Sequence, residues 1–158
     1  MKKRMVVCVA AWMMLLGVNS ASAQFIPGIS ELTVYGGATF DGANSGTVGG
    51  ALTLNLTSRI GVEGEIGVIL ATEKIINVNV SFIFNFGSGL SAIAPYLVGG
   101  AGALVDGGTD IALNGGGGLK LFVDTHVALR GDFRVFLGSS SGQVEDMERF
   151  YGGIEFFF

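Results

Sequence analysis

Beyond residue 30, apolar and polar side chains alternate with a period of two through most of the chain. In "IGVEGEIGVIL" the even positions are Ile60, Val62, Gly64, Ile66, Val68 and Leu70, while the odd ones include Glu63 and Glu65. In "INVNVSFIFNF" the even positions are Ile76, Val78, Val80, Phe82, Phe84 and Phe86, and the odd ones include Asn77, Asn79, Ser81 and Asn85. A strand turns successive side chains to opposite faces, so this pattern specifies sheet with one apolar and one polar face. β-Branched and aromatic residues fill both runs, as strands favour.

The same reading extends over the chain. "LTVYGGATF" sets Leu32, Val34 and Phe40 against Thr33, Tyr35 and Thr39. "VGGALTLNL" sets Val48, Leu52, Leu54 and Leu56 against Thr53 and Asn55. "IALNGGGGLKL" sets Ile111, Leu113, Leu119 and Leu121 against Asn114 and Lys120. "VALRGDFRV" sets Val127, Leu129, Phe133 and Val135 against Arg130, Asp132 and Arg134. The last run sets Phe150, Ile154, Phe156 and Phe158 against Arg149, Tyr151 and Glu155. "AIAPYLVGGAGAL" is apolar or glycine on both phases, so it reads as a strand whose faces stay unassigned. Pro95 suits its beginning, where a missing N–H matters least. Eight strands of about 9 to 13 residues result, longer than the globular average of about 5–6 and matched to a tilted membrane crossing. No helical periodicity follows residue 24.

The first 23 residues stand apart. Lys2, Lys3 and Arg4 precede the apolar run "MVVCVAAWMMLLGV", and "NSASA" follows before Gln24. This is the pattern of a secretory signal peptide cleaved after Ala23; the run is short of the roughly 20 residues of a spanning helix. Cleavage removes Cys8, Trp12 and three basic residues, leaving 6 positive and 13 negative charges, a net of −7. That charge argues against nucleic acid, which requires a basic face. No thiol or disulfide remains, so residues 24–158 form one domain stabilised by other means.

The connections between strands alternate in character. "DGANSG", "TEK", "DGGTD" and "GSSSGQVEDME" fall on one side, and "TSR", "GSGLS" and "DTH" on the other. The longest loop is expected at residues 138 to 148, and short turns against longer loops is the asymmetry of outer-membrane barrels.

Polarity then decides which face meets which surroundings. Charged residues are 14% of the chain, against roughly 25% in globular proteins. The charges well inside strands all share the polar phase: Glu63, Glu65, Asp132 and Glu155 with Lys120, Arg130, Arg134 and Arg149. Turned outward, eight charges are a meagre coat for a soluble barrel. Turned inward, four acids and four bases form a neutral salt-bridge network, as a narrow interior requires. Arg130 and Arg134, flanking Asp132, are expected to take carboxylates from neighbouring strands, with Glu155 a partner for one of them. Closure of the sheet pairs every backbone group, which lipid demands. The fold expected is all-β: an eight-stranded antiparallel transmembrane β-barrel with up-and-down meander topology.

On these residues the chain resembles the small eight-stranded OmpA/OmpX-type outer-membrane barrels of Gram-negative bacteria, over about Glu31 to Phe158. The end "YGGIEFFF" is the most specific element: Tyr151, Gly153, Phe156 and Phe158 match that family's carboxyl-terminal pattern. The resemblance implies that these four residues are an assembly signal read by the barrel-assembly machinery, and that the protein resides in the outer membrane among its lipids. "VDTHVALRGDFRVF" is also similar to the family's penultimate hairpin region.

Little in the chain points to chemistry. His126, the single histidine, falls in a turn with no serine following on its face. Glu63 and Glu65 sit among bases, which favours ion pairs over acid–base work. "LNGGGGLK" lacks the spacing of a phosphate loop and no helix follows it. Glu145, Asp146 and Glu148 lack calcium-loop spacing and read as a solvated loop. No cofactor and no metal is expected. The expectation is a non-enzymatic barrel with a plugged interior and a structural or surface-interaction role; a narrow channel, a lipid-modifying barrel enzyme and a soluble lipocalin-type barrel are the competitors. Oligomeric state is not written in the sequence.

Overall fold

The computed structural model describes residues 28–41, 43–71, 74–86, 92–106, 108–140 and 143–158. The expected leader, residues 1–23, lies outside them. Eight strands follow in order: β1 (Ser30–Asp41), β2 (Ala43–Asn55), β3 (Ile60–Leu70), β4 (Lys74–Asn85), β5 (Ile93–Asp106), β6 (Gly108–Phe122), β7 (Val127–Ser140) and β8 (Gln143–Phe157). Each pairs antiparallel with the next, and β8 pairs with β1 to close a barrel. The closing register runs from Glu31 opposite Phe157 to Phe40 opposite Glu148. At its lower end the Ser30 N–H donates to the Phe158 carbonyl at 2.9 Å, and the Phe158 N–H returns the bond at 3.0 Å.

Alternation places the polar phase inside. Glu63, Glu65, Lys120, Arg130, Asp132, Arg134, Arg149 and Glu155 are all buried. The apolar phase forms the outer wall, where Val34, Ile66, Val80, Phe82, Ile111 and Leu113 are each more than half exposed. This arrangement is the inverse of a water-soluble domain, whose core is apolar and whose charges face solvent.

β5 resolves to a face as well. Ala94, Tyr96 and Val98 are buried, whereas Ile93 and Val105 are exposed. Alternation gave no signal there because the inward phase is itself apolar and then bare, with Gly100 and Gly102 following Val98.

The expected loops prove shorter than the composition suggests. β1 and β2 continue through "DGANSG" until only residue 42 separates them, and β5 and β6 are separated only by residue 107. β7 and β8 continue through most of 138–148, with Ser139 opposite Val144 and Ser140 opposite Gln143. That segment is a paired ribbon and not the longest loop. The opposite end holds the longer connections, 56–59, 86–92 and 123–126, so the expected asymmetry of lengths is reversed. The reason is physical: ladder hydrogen bonds need backbone groups and no particular side chain. A ribbon of Gly, Ser and acidic residues therefore stays paired after the apolar phase stops. Glu148, exposed on the outward phase of β8, marks where it stops.

Candidate functional site

Projecting from five different strands would leave interior charges isolated if each met only its sheet neighbour. Instead they form one ladder of alternating sign across the interior. Glu31 on β1 meets Lys120 on β6 at 2.5 Å, and Lys120 meets Glu155 on β8 at 2.9 Å. Glu155 meets Arg130 on β7 at 3.3 Å, and Arg130 meets Glu63 on β3 at 2.5 Å. Glu63 meets Arg134 at 2.6 Å, Arg134 meets Glu65 at 3.2 Å, and Glu65 meets Arg149 on β8 at 2.7 Å. Asp132 braces the middle, 3.1 Å from Arg130 and 3.0 Å from Arg134.

Neutral donors add to the ion pairs at each of the five carboxylates. Asp132 accepts from the Tyr96 hydroxyl at 2.5 Å and from the Tyr151 hydroxyl at 3.0 Å. Glu65 accepts from the side-chain amides of Asn77 and Asn79 at 3.1 and 3.0 Å. Glu31 accepts from Asn55, Glu63 from Thr53, and Glu155 from Thr33. The guanidinium groups also lie over rings: Arg130 is 4.8 Å from the Tyr96 centroid and Arg149 is 4.8 Å from that of Phe136. Burying one ion alone costs several kcal/mol, which opposite charges and hydrogen bonds within reach offset here.

The ladder is framed by apolar side chains. At one end Ile69, Ala112, Phe136 and Met147 cluster, with Ile75 and Leu104 packed against them. At the other, the rings of Phe122 and Phe157 lie 5.3 Å apart, and Phe157 sits 5.9 Å from the Lys120 ammonium.

The structure thus brings together all eight charged residues expected inside, with two differences. Glu31 joins them fully buried, making five acids to four bases among the described residues, not an equal count. Glu155 pairs with Arg130, one of the two partners expected for it, and with Lys120 as well, while Arg134 takes Glu63 and Glu65. Besides Asp132 on its own strand, the carboxylates that serve Arg134 come from β3, on the opposite wall, and not from a neighbouring strand. Glu31 shares the phase of Thr33 and Tyr35, a signal that was present but lay at the strand's edge. Tyr96, hidden in the unassigned strand, carried none.

The four residues of the carboxyl-terminal pattern divide between two surroundings. Phe156 and Phe158 are exposed on the outer wall, whereas Tyr151 is buried and Gly153 faces inward beside β1. Phe157 also points inward.

Outside the barrel, His126 is exposed in the 123–126 turn, where its Nδ1 lies 2.9 Å from the Thr125 hydroxyl. The Asp124 carboxylate accepts from both the hydroxyl and the backbone N–H of Thr125, which holds it below the usual carboxylate range. Glu148 is exposed, and Glu145 and Asp146 belong to β8. Among the described residues no group of three His, Cys, Asp or Glu side chains is disposed to hold a metal. Nor is any helix among them long and apolar enough to cross a membrane, a statement that leaves strands untouched.

No family model and no curated protein matches the sequence. Solved structures do match. The N-terminal β-barrel domain of Pseudomonas aeruginosa OprF aligns with a TM-score of 0.70 at 16% identity, covering 83% of this chain and 98% of that one. Neisserial surface protein A aligns with a TM-score of 0.69 at 14% identity, covering 83% and 97%. A de novo designed transmembrane β-barrel aligns at 0.64 and 16%, covering 86% and 100%. The chain has the fold of the small eight-stranded outer-membrane β-barrels. At these identities the likeness is one of fold.

Proposed function

We propose that this chain is a non-enzymatic integral outer-membrane protein whose interior is closed by its ion ladder. One observation carries the reading: ions are buried inside and an apolar wall faces outward around the ring. Water would penalise that exposed apolar area at roughly 25 cal/mol per Å², whereas lipid accepts it and requires the complete backbone pairing that closure provides. The ladder and the apolar clusters at its ends support a closed interior in preference to a channel. The role is structural, or one of surface contact through the ribbons that carry Asp41, Asp106, Asp110, Glu145, Asp146 and Glu148. Export by residues 1–23 and insertion by assembly machinery reading Tyr151, Gly153, Phe156 and Phe158 belong to the same proposal.

Fractionation tests it. The protein is expected in the outer membrane, with a heat-shifted band on a gel and silence in planar bilayers. Recovery in the aqueous phase without that band would overturn the membrane reading. Conductance that changes on neutralising Arg130 would replace the closed barrel by a narrow channel, and altered lipid A on expression would replace it by an enzyme. Deleting Phe158 is expected to lower membrane levels sharply with little change in the stability of the barrels that do form; unchanged levels would remove the assembly-signal reading.

A further inference from the structure

Seven of the eight strand pairs are joined by a connection that restricts their register, but β1 and β8 meet with no connection between them. A slip of one residue there is blocked because it turns every side chain to the wrong face. A slip of two keeps the faces, so side chains must exclude it.

Two reciprocal joints sit at this seam. Tyr35 lies opposite Gly153, and Tyr151 lies opposite Gly37. A Cβ built on Gly37 would stand 2.6 Å from the Tyr151 Cα and 2.7 Å from its Cβ. One on Gly153 would stand 2.5 Å from the Val34 carbonyl oxygen and 2.9 Å from the Tyr35 Cβ. Each strand therefore offers a tyrosine and, two residues away on the same face, the gap for the other's. The two rings stack across the seam at 4.3 Å with 27° between planes. Tyr35 reaches further, its hydroxyl standing 2.6 Å from where a Cβ on Gly67 would be.

Slipping by two in either direction destroys the fit. One way puts Tyr35 opposite Tyr151, two rings in one space, with Arg149 over Gly37. The other puts Gly37 opposite Gly153, leaving a gap, with Tyr35 against Glu155. We propose that Tyr35, Gly37, Tyr151 and Gly153 are a clasp that sets the register in which the terminal strands close the barrel. Tyr151 and Gly153 then have work in the folded protein that needs no assembly machinery, and the inference stands on the barrel fold alone.

The test is refolding of the full chain, with Cys8→Ser, from urea into detergent micelles, where no machinery is present. Closure is read by the heat-shifted band, and register by disulfide formation between outward pairs. Val34→Cys with Ile154→Cys reports the native register; Val34→Cys with Gly152→Cys or with Phe156→Cys reports the two slips. In the parent chain only the first pair is expected to cross-link. Overpacking at Gly37→Ala with Gly153→Ala is expected to cut the yield of closed barrel about tenfold or to produce a slipped cross-link. Gly118→Ala is the comparison, because Gly118 also lies opposite a tyrosine, Tyr96, and an added Cβ there is crowded as well (closest to the Gly131 carbonyl oxygen, and 2.5 Å from the Tyr96 hydroxyl), but in a pair joined by a turn. It is expected to weaken the barrel without any slipped product. Failure of the Gly37/Gly153 variant to close while Gly118→Ala closes supports the clasp. Native yield and native cross-linking in the Gly37/Gly153 variant overturn it, and so does the same loss or slipping from Gly118→Ala.

Discussion

Two walls of one interior solve the problem of burying polarity differently. The wall formed by β7, β8 and β1 is dense with ions: Arg130, Asp132 and Arg134, then Arg149 and Glu155, then Glu31. The wall formed by β4 to β6 carries one buried ion among the described residues, Lys120, with the neutral residues Asn77, Asn79, Ser81, Asn85 and Asn114, and with Gly100, Gly102, Gly116 and Gly118 also on its inner phase. The contrast follows from size. Three guanidinium groups need room to cross the interior, and glycines opposite provide it. The charged wall depends on partners far away, such as Glu63 and Glu65 on β3. The neutral wall satisfies itself more locally, as when Ser81 donates to Asn114 at 3.1 Å. Damage to the first should spread and damage to the second should stay local.

The largest effect is expected from Arg134→Met. It strips Glu63, Glu65 and Asp132 of a shared cation and leaves buried charge uncompensated, a loss of about 3–5 kcal/mol. Urea titration in vesicles measures it; a loss comparable to that of a neutral-wall variant would erase the contrast. Ser81→Ala comes next. It leaves the Asn114 carbonyl without that donor and should cost about 1 kcal/mol, with the unfolding slope unchanged. Asp124→Asn, in the exposed 123–126 turn, should be smallest. Its lowered folded value stabilises only above the ordinary carboxylate range, and that contribution is lost as the pH falls through the folded value. Because the carboxylate is fully exposed, the contribution present at pH 7 is small, and the urea midpoint is expected to fall by less than in Ser81→Ala.

What could be read from the sequence follows the same division. The faces of seven strands were legible because ions and amides occupy one phase only, from Glu63 and Glu65 on β3 to Arg149 and Glu155 on β8. β5 was not, because its inward residues Ala94, Tyr96 and Val98 are as apolar as its outward ones. The membership of the ladder was legible from phase, but its links were not. Arg130 and Glu63 stand 67 residues apart on strands that never pair, and no local pattern encodes a contact across a lumen. The ends of the strands misled for a separate reason: "GSSSGQVEDME" has the composition of a loop, yet the ladder continues through it. Composition reports what a segment can bury, whereas the ladder hydrogen bonds need only backbone groups.

The mutual hydrogen bonds of Ser30 and Phe158 have a topological consequence. The two ends of the described chain lie side by side at one rim, so the barrel is a ring, and the numbering of its strands records only where the polypeptide is cut. A short linker from Phe158 to Gly28, with new ends opened in the exposed 56–59 turn, would give a circular permutant with the same walls and the same ladder. Its seam would lie between β2 and β3, where Gly49 faces Gly67, and β1 and β8 would become an ordinary hairpin.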